Sequence, residues 1–134
     1  MPEKFPMLTV DAVILRDNSV VLIRRGNPPF KEKWALPGGF VEYGERVEDA
    51  VVREAKEETG LDINADKLSD VYSDPDRDPR GHTVSVCFLC TPVGGGLKPD
   101  TDAIDARWFK LSKLPELAFD HEKILGDVLK LLKG

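Results

Sequence analysis

Residues 53 to 60 read REAKEETG and put three carboxylates, Glu54, Glu57 and Glu58, into five positions. From Arg46 to Thr59 there is no glycine or proline, and apolar residues recur at helical spacing, so the pattern predicts a helix. Take about 100° per residue, with Val47 at zero. Ala50, Val51 and Ala55 then define a core stripe from about 300° through zero to about 80°. Glu54 falls at about 340° and Glu58 at about 20°, inside that stripe, with Glu57 on its edge at about 280°. Lys56, at about 180°, faces the other way.

A solvated acidic face explains this poorly. Glu54 and Glu58 form an i,i+4 like-charge pair, which costs roughly 0.2–0.5 kcal/mol. Acids near a helix C-terminus also oppose the helix dipole, by about 0.3–1 kcal/mol each. Burying the carboxylates unpaired would cost more than either. Arg53 reaches Glu57 at i,i+4, but one guanidinium does not neutralise three carboxylates. Two readings remain: a purely ionic network, or a hard divalent cation. Mg²⁺ suits the second, since it takes oxygen ligands and typically bridges carboxylates to substrate phosphates.

The elements that must position this helix follow from turn and periodicity signals. LTVDAVILR, residues 8 to 16, and VVLIRR, 20 to 25, read as strands joined by an Asp17-Asn18 turn. GNPPFKEKW reads as a loop, and WALPGGFVE as a short strand broken at Pro37-Gly38-Gly39. Glu45, Glu48 and Asp49 lie near the start of the helix, where acids are favoured. Gly60 sits where a left-handed cap is expected. A strand ends near Val71-Tyr72. SDPDRDPRGH, 73 to 82, is a polar loop, TVSVCFLCTPV a strand, GGGLKPDTD a loop and ARWFKL a strand. HEKILGDVLKLLK carries apolar residues at helical spacing and reads as a closing amphipathic helix. Helices between runs of strands imply an α/β sandwich around a mixed sheet.

The remaining composition narrows the function. The chain has 134 residues, suiting one domain over 1–134 with no room for a second. The net charge of −5 opposes binding to polymeric nucleic acid but leaves a small nucleotide open. There is no apolar run long enough for a membrane span and no signal-peptide pattern, so a cytoplasmic location is expected. Cys87 and Cys90 are spaced C-x-x-C, but residues three apart on a strand point to opposite faces. No second Cys/His pair completes a zinc site, so both read as reduced, near-core thiols.

From Gly39 the chain reads GFVEYGERVEDAVVREAKEETGL. This stretch resembles the Nudix box. Its matching positions are Gly39, Glu45, Arg53, Glu54, Ala55, Glu57, Glu58, Gly60 and Leu61, with Ala55 small where a larger aliphatic is common. The resemblance implies a Nudix fold, an α/β/α sandwich around a mixed β-sheet, and a Mg²⁺-dependent hydrolase of nucleoside diphosphate derivatives, Mn²⁺ being a substitute. It implies metal ligation by Glu54, Glu57 and Glu58 and by the Gly38 carbonyl, with Glu45 and Arg53 orienting the loop and the carboxylates. The general base varies among such enzymes; here the loop acids Asp100, Asp102 and Asp105 qualify, with Asp102 preferred.

The segments SDPDRDPRGHTVS, DAIDARWF and LAFDHEKIL resemble the ADP-ribose pyrophosphatases of that family, as does Pro75, 14 residues past Leu61. ADP-ribose cleaved to AMP and ribose 5-phosphate is therefore the expected reaction. The alternatives are a nucleoside triphosphate or oxidised-nucleotide pyrophosphohydrolase, and a non-catalytic ADP-ribose-type sensing module. Arg25, Arg77 and Arg80 are candidate phosphate contacts. Arg24 and Arg25 alternate faces, so only one can reach the site. Phe30, Trp34 and Tyr72 are candidates to stack on adenine, Tyr72 foremost, although strand-end aromatics also build cores. His82 and His121 read as makers of structural hydrogen bonds. A homodimer is a further expectation from the resemblance.

Overall fold

A computed structural model describes residues 4–98 and 103–133. The order is β1 (Met7–Arg16), β2 (Ser19–Arg25), β3 (Trp34–Ala35), β4 (Gly38–Phe40), α1 (Val47–Thr59), β5 (Leu61–Tyr72), β6 (Thr83–Gly95), β7 (Ala103–Lys110) and α2 (His121–Lys133). Asp17 and Asn18 take φ of 49° and 62°, and turn β1 into β2 with two left-handed residues. That is the geometry whose twist matches a two-residue hairpin, and short polar side chains tolerate it.

The sheet is mixed. β1 runs parallel to β6, with Val10 opposite Val86 and Asp11 opposite Cys87. Its other edge runs antiparallel to β4, with Asp11 opposite Gly38. The far end of β1 pairs with β2, which carries β3 and β7 on its two sides. β5 closes the outer edge against β6. Period-2 alternation then sorts the core. Val10, Ala12 and Ile14 of β1 and Val86, Phe88 and Cys90 of β6 pack with Ala50, Val51 and Ala55 of α1. On the opposite face, Val13 and Cys87 pack with Val20, Leu22 and α2 residues Ile124, Leu125 and Val128. The two helices thus cover the two faces of the sheet, and the expected α/β/α sandwich is the observed fold.

The two cysteines fall into different core clusters, free and buried, as strand alternation requires. Burial pushes each thiol up to about 12, as suits inert core groups. Gly60 ends α1 at φ 83°, and a Cβ there would lie 2.4 Å from the Gly96 carbonyl oxygen. Only glycine meets both demands, and the helix that carries the glutamates stops where it must turn into β5. Among the described residues, no helix is long and apolar enough to cross a membrane.

Candidate active site

The helical wheel places the glutamates correctly. Glu58 is buried at 7% exposure, and the Glu54 side chain is 14% exposed. Glu57, on the stripe edge, is 42% exposed in its side chain. Ahead of the helix, β4 passes so close that Gly38 admits no side chain and Gly39 admits one only if Glu54 moves. A Cβ on Gly38 would sit 2.1 Å from the Val10 carbonyl oxygen, and a Cβ on Gly39 would sit 2.6 Å from the Glu54 carboxylate. With no side chain in the way, the Gly38 N–H donates to Glu58 Oε1 at 2.7 Å. The Pro37-Gly38-Gly39 break in the sequence is therefore the place where backbone meets carboxylate.

Arg53 organises the same region. Its Nε and Nη2 form a two-pronged bond to Glu45 at 2.8 and 2.9 Å. Nη1 donates to Glu54 at 2.8 Å and to Glu57 at 3.3 Å, and Nη2 also reaches the Phe40 carbonyl at 3.2 Å. Such charge-assisted, bidentate contacts fix orientation as well as energy. The Arg53 bond, with the Glu42 backbone N–H, holds the Glu45 carboxyl down at about 2. Glu54 and Glu58 behave oppositely. Burial raises Glu54, with Arg53 opposing. Burial pushes Glu58 up to about 8; the Gly38 hydrogen bond and Arg25 oppose this, and the Glu54 and Asp11 charges add to it.

These carboxylates open into a cleft of about 440 Å³. Its lining includes the acids Glu42, Glu54, Glu58 and, from mid-β1, Asp11. The same lining holds cationic and aromatic groups: Arg25, Arg80, Phe40 and Phe119. The floor holds a buried polar chain. The Ser85 hydroxyl donates to Asp11 across the β1–β6 ladder, and Asp11 Oδ1 lies 3.5 Å from His121 Nε2. His121 Nδ1 accepts the Leu36 N–H at 2.9 Å, tying α2 to the segment before Gly38. Burial lowers the His121 pKa and favours the neutral ring.

The structure sorts the remaining candidates. Arg25 lines the cleft, while Arg24 turns to Glu32, as alternation requires. Arg80 lines it too, held by Asp78 at 2.8 Å, and those hydrogen bonds lower the Asp78 pKa against the effect of its burial. Arg77 also reaches the cleft wall, but its side chain is 5% exposed. It is bonded bidentately to Asp120 at 2.7 and 2.8 Å and to Thr83, so it braces the 73–82 loop rather than offering itself to a phosphate. Tyr72 needs correcting: it lies away from the cleft, on the α2 side of the sheet, with its hydroxyl on Asp127 at 2.9 Å. Trp34 packs edge-on against Phe109 in that same cluster. Asp100 and Asp102 lie outside the described residues. Asp105 is engaged with the Ala106 N–H and Arg107 and does not line the cleft.

Sequence reasoning missed Asp11, Asp78, Phe119 and the cleft position of His121. Asp11 had left a signal, as the lone acid inside the apolar run LTVDAVIL. The site fits a divalent cation chemically, with all-oxygen donors, a buried carboxylate at Glu58 and a glycine cradle that a Cβ would fill. Among the described residues, no three acidic, imidazole or thiol groups already converge as a cation cage. Glu54 is instead turned to Arg53.

The family model for the NUDIX domain matches residues 6–132. The chain is 55% identical over 129 residues to the ADP-ribose pyrophosphatase of Methanocaldococcus jannaschii, covering 96% of this chain and 76% of that one. A Francisella tularensis bifunctional NMN adenylyltransferase/ADP ribose pyrophosphatase, complexed with AMP and a Mn ion, superposes with a TM-score of 0.88 at 30% identity. That match covers 97% of this chain and 43% of the longer protein. The NUDIX domain of Shewanella oneidensis NrtR, complexed with ADP ribose, superposes at 0.85 with 31% identity, covering 97% and 90%.

Proposed function

The chain belongs to the NUDIX domain family, and on that premise we propose that it hydrolyses the pyrophosphate bond of ADP-ribose, giving AMP and ribose 5-phosphate, with Mg²⁺ as its cofactor. The carrying observation is the buried Glu58 carboxylate, which shares one cleft with Arg25 and Arg80. A carboxylate held up at about 8 by burial is stabilised as an anion once a divalent cation sits against it. Arg25 and Arg80 in the same cleft complement a second, anionic occupant. The 55% identity to an ADP-ribose pyrophosphatase supports the choice of nucleotide.

Glu54, Glu58 and the Gly38 carbonyl would hold the ion, with Glu57 at the rim. When bound, a divalent ion neutralises pyrophosphate charge and acidifies a water. The protein's own groups do the rest. Arg53 holds Glu45 and orients Glu54; Gly38 and Gly39 bring backbone within reach; Arg25 and Arg80 grip anionic oxygens. A carboxylate takes the attacking water's proton, and Asp102, outside the described residues, is our candidate. The proposal includes a single-domain enzyme in the cytoplasm, where Cys87 and Cys90 stay reduced, and a homodimer.

The test is a panel. The purified protein with Mg²⁺ is offered ADP-ribose, NADH, nucleoside triphosphates and an oxidised nucleotide, with products separated by chromatography. ADP-ribose should be consumed fastest, with AMP and ribose 5-phosphate in equal amounts. Intact ADP-ribose beside a cleaved triphosphate would remove the substrate assignment. Tight binding of ADP-ribose without cleavage would favour a sensing module.

A further inference from the structure

The short segment before α2 contains a bulky residue in a conformation that disfavours it. Phe119 has φ 54°, the left-handed region. The turn is fixed from both sides: the Ala118 N–H donates to the Trp34 carbonyl at 2.8 Å, and the His121 N–H donates to the Ala118 carbonyl at 3.2 Å. Phe30, from the loop between β2 and β3, is also left-handed, at φ 58°. The two rings meet edge-to-face at 4.8 Å. Bulky side chains seldom adopt this backbone unless their surroundings over-determine it, and such residues cluster where a ligand is gripped.

The position of the Phe119 ring gives the conformation a purpose. It lines the cleft, 5.0 Å from the Arg25 guanidinium carbon and 5.4 Å from that of Arg80. Arg80 also lies 5.1 Å from the Phe40 ring, so its guanidinium is flanked by two aromatics. Asp78 takes its Nε and Nη2 edge. Guanidinium groups within about 6 Å of a ring are attracted to its face. One ring therefore steadies both cleft arginines, which start from different elements: the end of β2 and the 73–82 loop.

We propose that Phe119 is a positioning residue for substrate affinity: its left-handed backbone puts a ring under Arg25 and Arg80 and holds both to one anionic half of a nucleoside diphosphate derivative. This rests on the pyrophosphatase reading of the cleft, but not on which nucleotide is cleaved. Phe119 touches no reacting atom in this role. Its loss weakens binding and leaves the chemical step alone.

Two ring-deleting variants separate this role from plain packing. Phe119→Ala and Phe119→Gly both remove the ring, but glycine accepts the positive φ and alanine does not, so the glycine variant should melt higher. KM, measured on whichever nucleotide the wild type cleaves, should rise by roughly tenfold in both variants, with kcat within threefold of wild type. Phe119→Tyr, which keeps the ring, should keep KM within threefold. KM following the melting temperature, with the glycine variant returning towards wild type, would overturn this role. So would KM within twofold of wild type in both ring-deleting variants, or a fall in kcat at unchanged KM. If ADP-ribose is inert and another nucleotide is cleaved, the substrate assignment fails while the Phe119 comparison is still read on that nucleotide.

Discussion

Replacing Glu58 with glutamine should stabilise the metal-free protein at alkaline pH while removing its turnover. Glu58 titrates at about 8 in the fold, against an ordinary value of 4.5. Between those values the folded state holds a proton that the unfolded chain has released, so stability falls as pH rises through this window. The penalty is absent below the unfolded value and complete above about 8. At about 1.4 kcal/mol per pH unit, the gap of 3.5 units sets a ceiling of about 5 kcal/mol. Local relaxation and water entry reduce that to roughly 2 kcal/mol. For a domain of this size, that corresponds to roughly 8 °C in melting temperature. Glutamine keeps an acceptor for the Gly38 N–H and does not ionise. The assay is thermal unfolding of both proteins in EDTA, from pH 5 to 9. The variant-minus-wild-type difference should be near zero at pH 5 and reach roughly +8 °C at pH 8.5. Saturating Mg²⁺ should shrink or reverse it, because the ion stabilises only the wild-type carboxylate. A pH-independent difference, or a metal-free wild type more stable than the variant at pH 8.5, would refute this reasoning.

Other outcomes follow from single contacts. Gly38→Ala would drive a Cβ into the Val10 carbonyl; it should cost about 3 kcal/mol or more and be seen as a lower melting temperature. Gly39→Ala meets the Glu54 carboxylate first, the movable end of a side chain, so it should stay folded by circular dichroism while turnover falls by at least about tenfold. Arg53→Lys keeps charge but loses the fork to Glu45; kcat should fall by roughly 10–100-fold. Acid unfolding should also begin at higher pH, because stability held by a carboxyl depressed to about 2 is lost as pH falls through its folded value, and that value rises without the fork. Tyr72→Phe should lose about 1 kcal/mol from the Asp127 hydrogen bond and leave kcat and KM unchanged, since Tyr72 lies outside the cleft.

How much of this could be read in the sequence depended on whether the governing contact was local. The glutamate helix, its core-facing carboxylates and its Gly60 stop follow from one period and one cap, both encoded within a few residues. The opposed cysteines follow from strand alternation, as does the expectation that only one of Arg24 and Arg25 reaches the cleft. Tyr72 was a strand-end aromatic whose face the sequence did not fix, and it went to the core. The β5–β6 pairing shifts register at Asp62/Ile63, Ala65/Lys67 and Leu68/Asp70, and each irregularity resets which face a later residue takes. Arg77 looked free for phosphate because its partner, Asp120, lies 43 residues away. Asp11, His121 and Phe119 form the cleft only through the β1–β6 ladder and the return of α2. Such long-range placement leaves little trace in a local pattern beyond an acid where a strand should be apolar.

The most direct test of the central claim, that the buried carboxylate of α1 serves a divalent ion, is a Mg²⁺ titration of initial rate for wild type and Glu58→Gln. With the preferred nucleotide, the wild-type rate should rise from baseline in EDTA to a plateau. The variant should stay at least about 100-fold lower at every Mg²⁺ concentration despite an intact fold. A variant that reached the wild-type plateau at the same Mg²⁺ midpoint would contradict that role for Glu58.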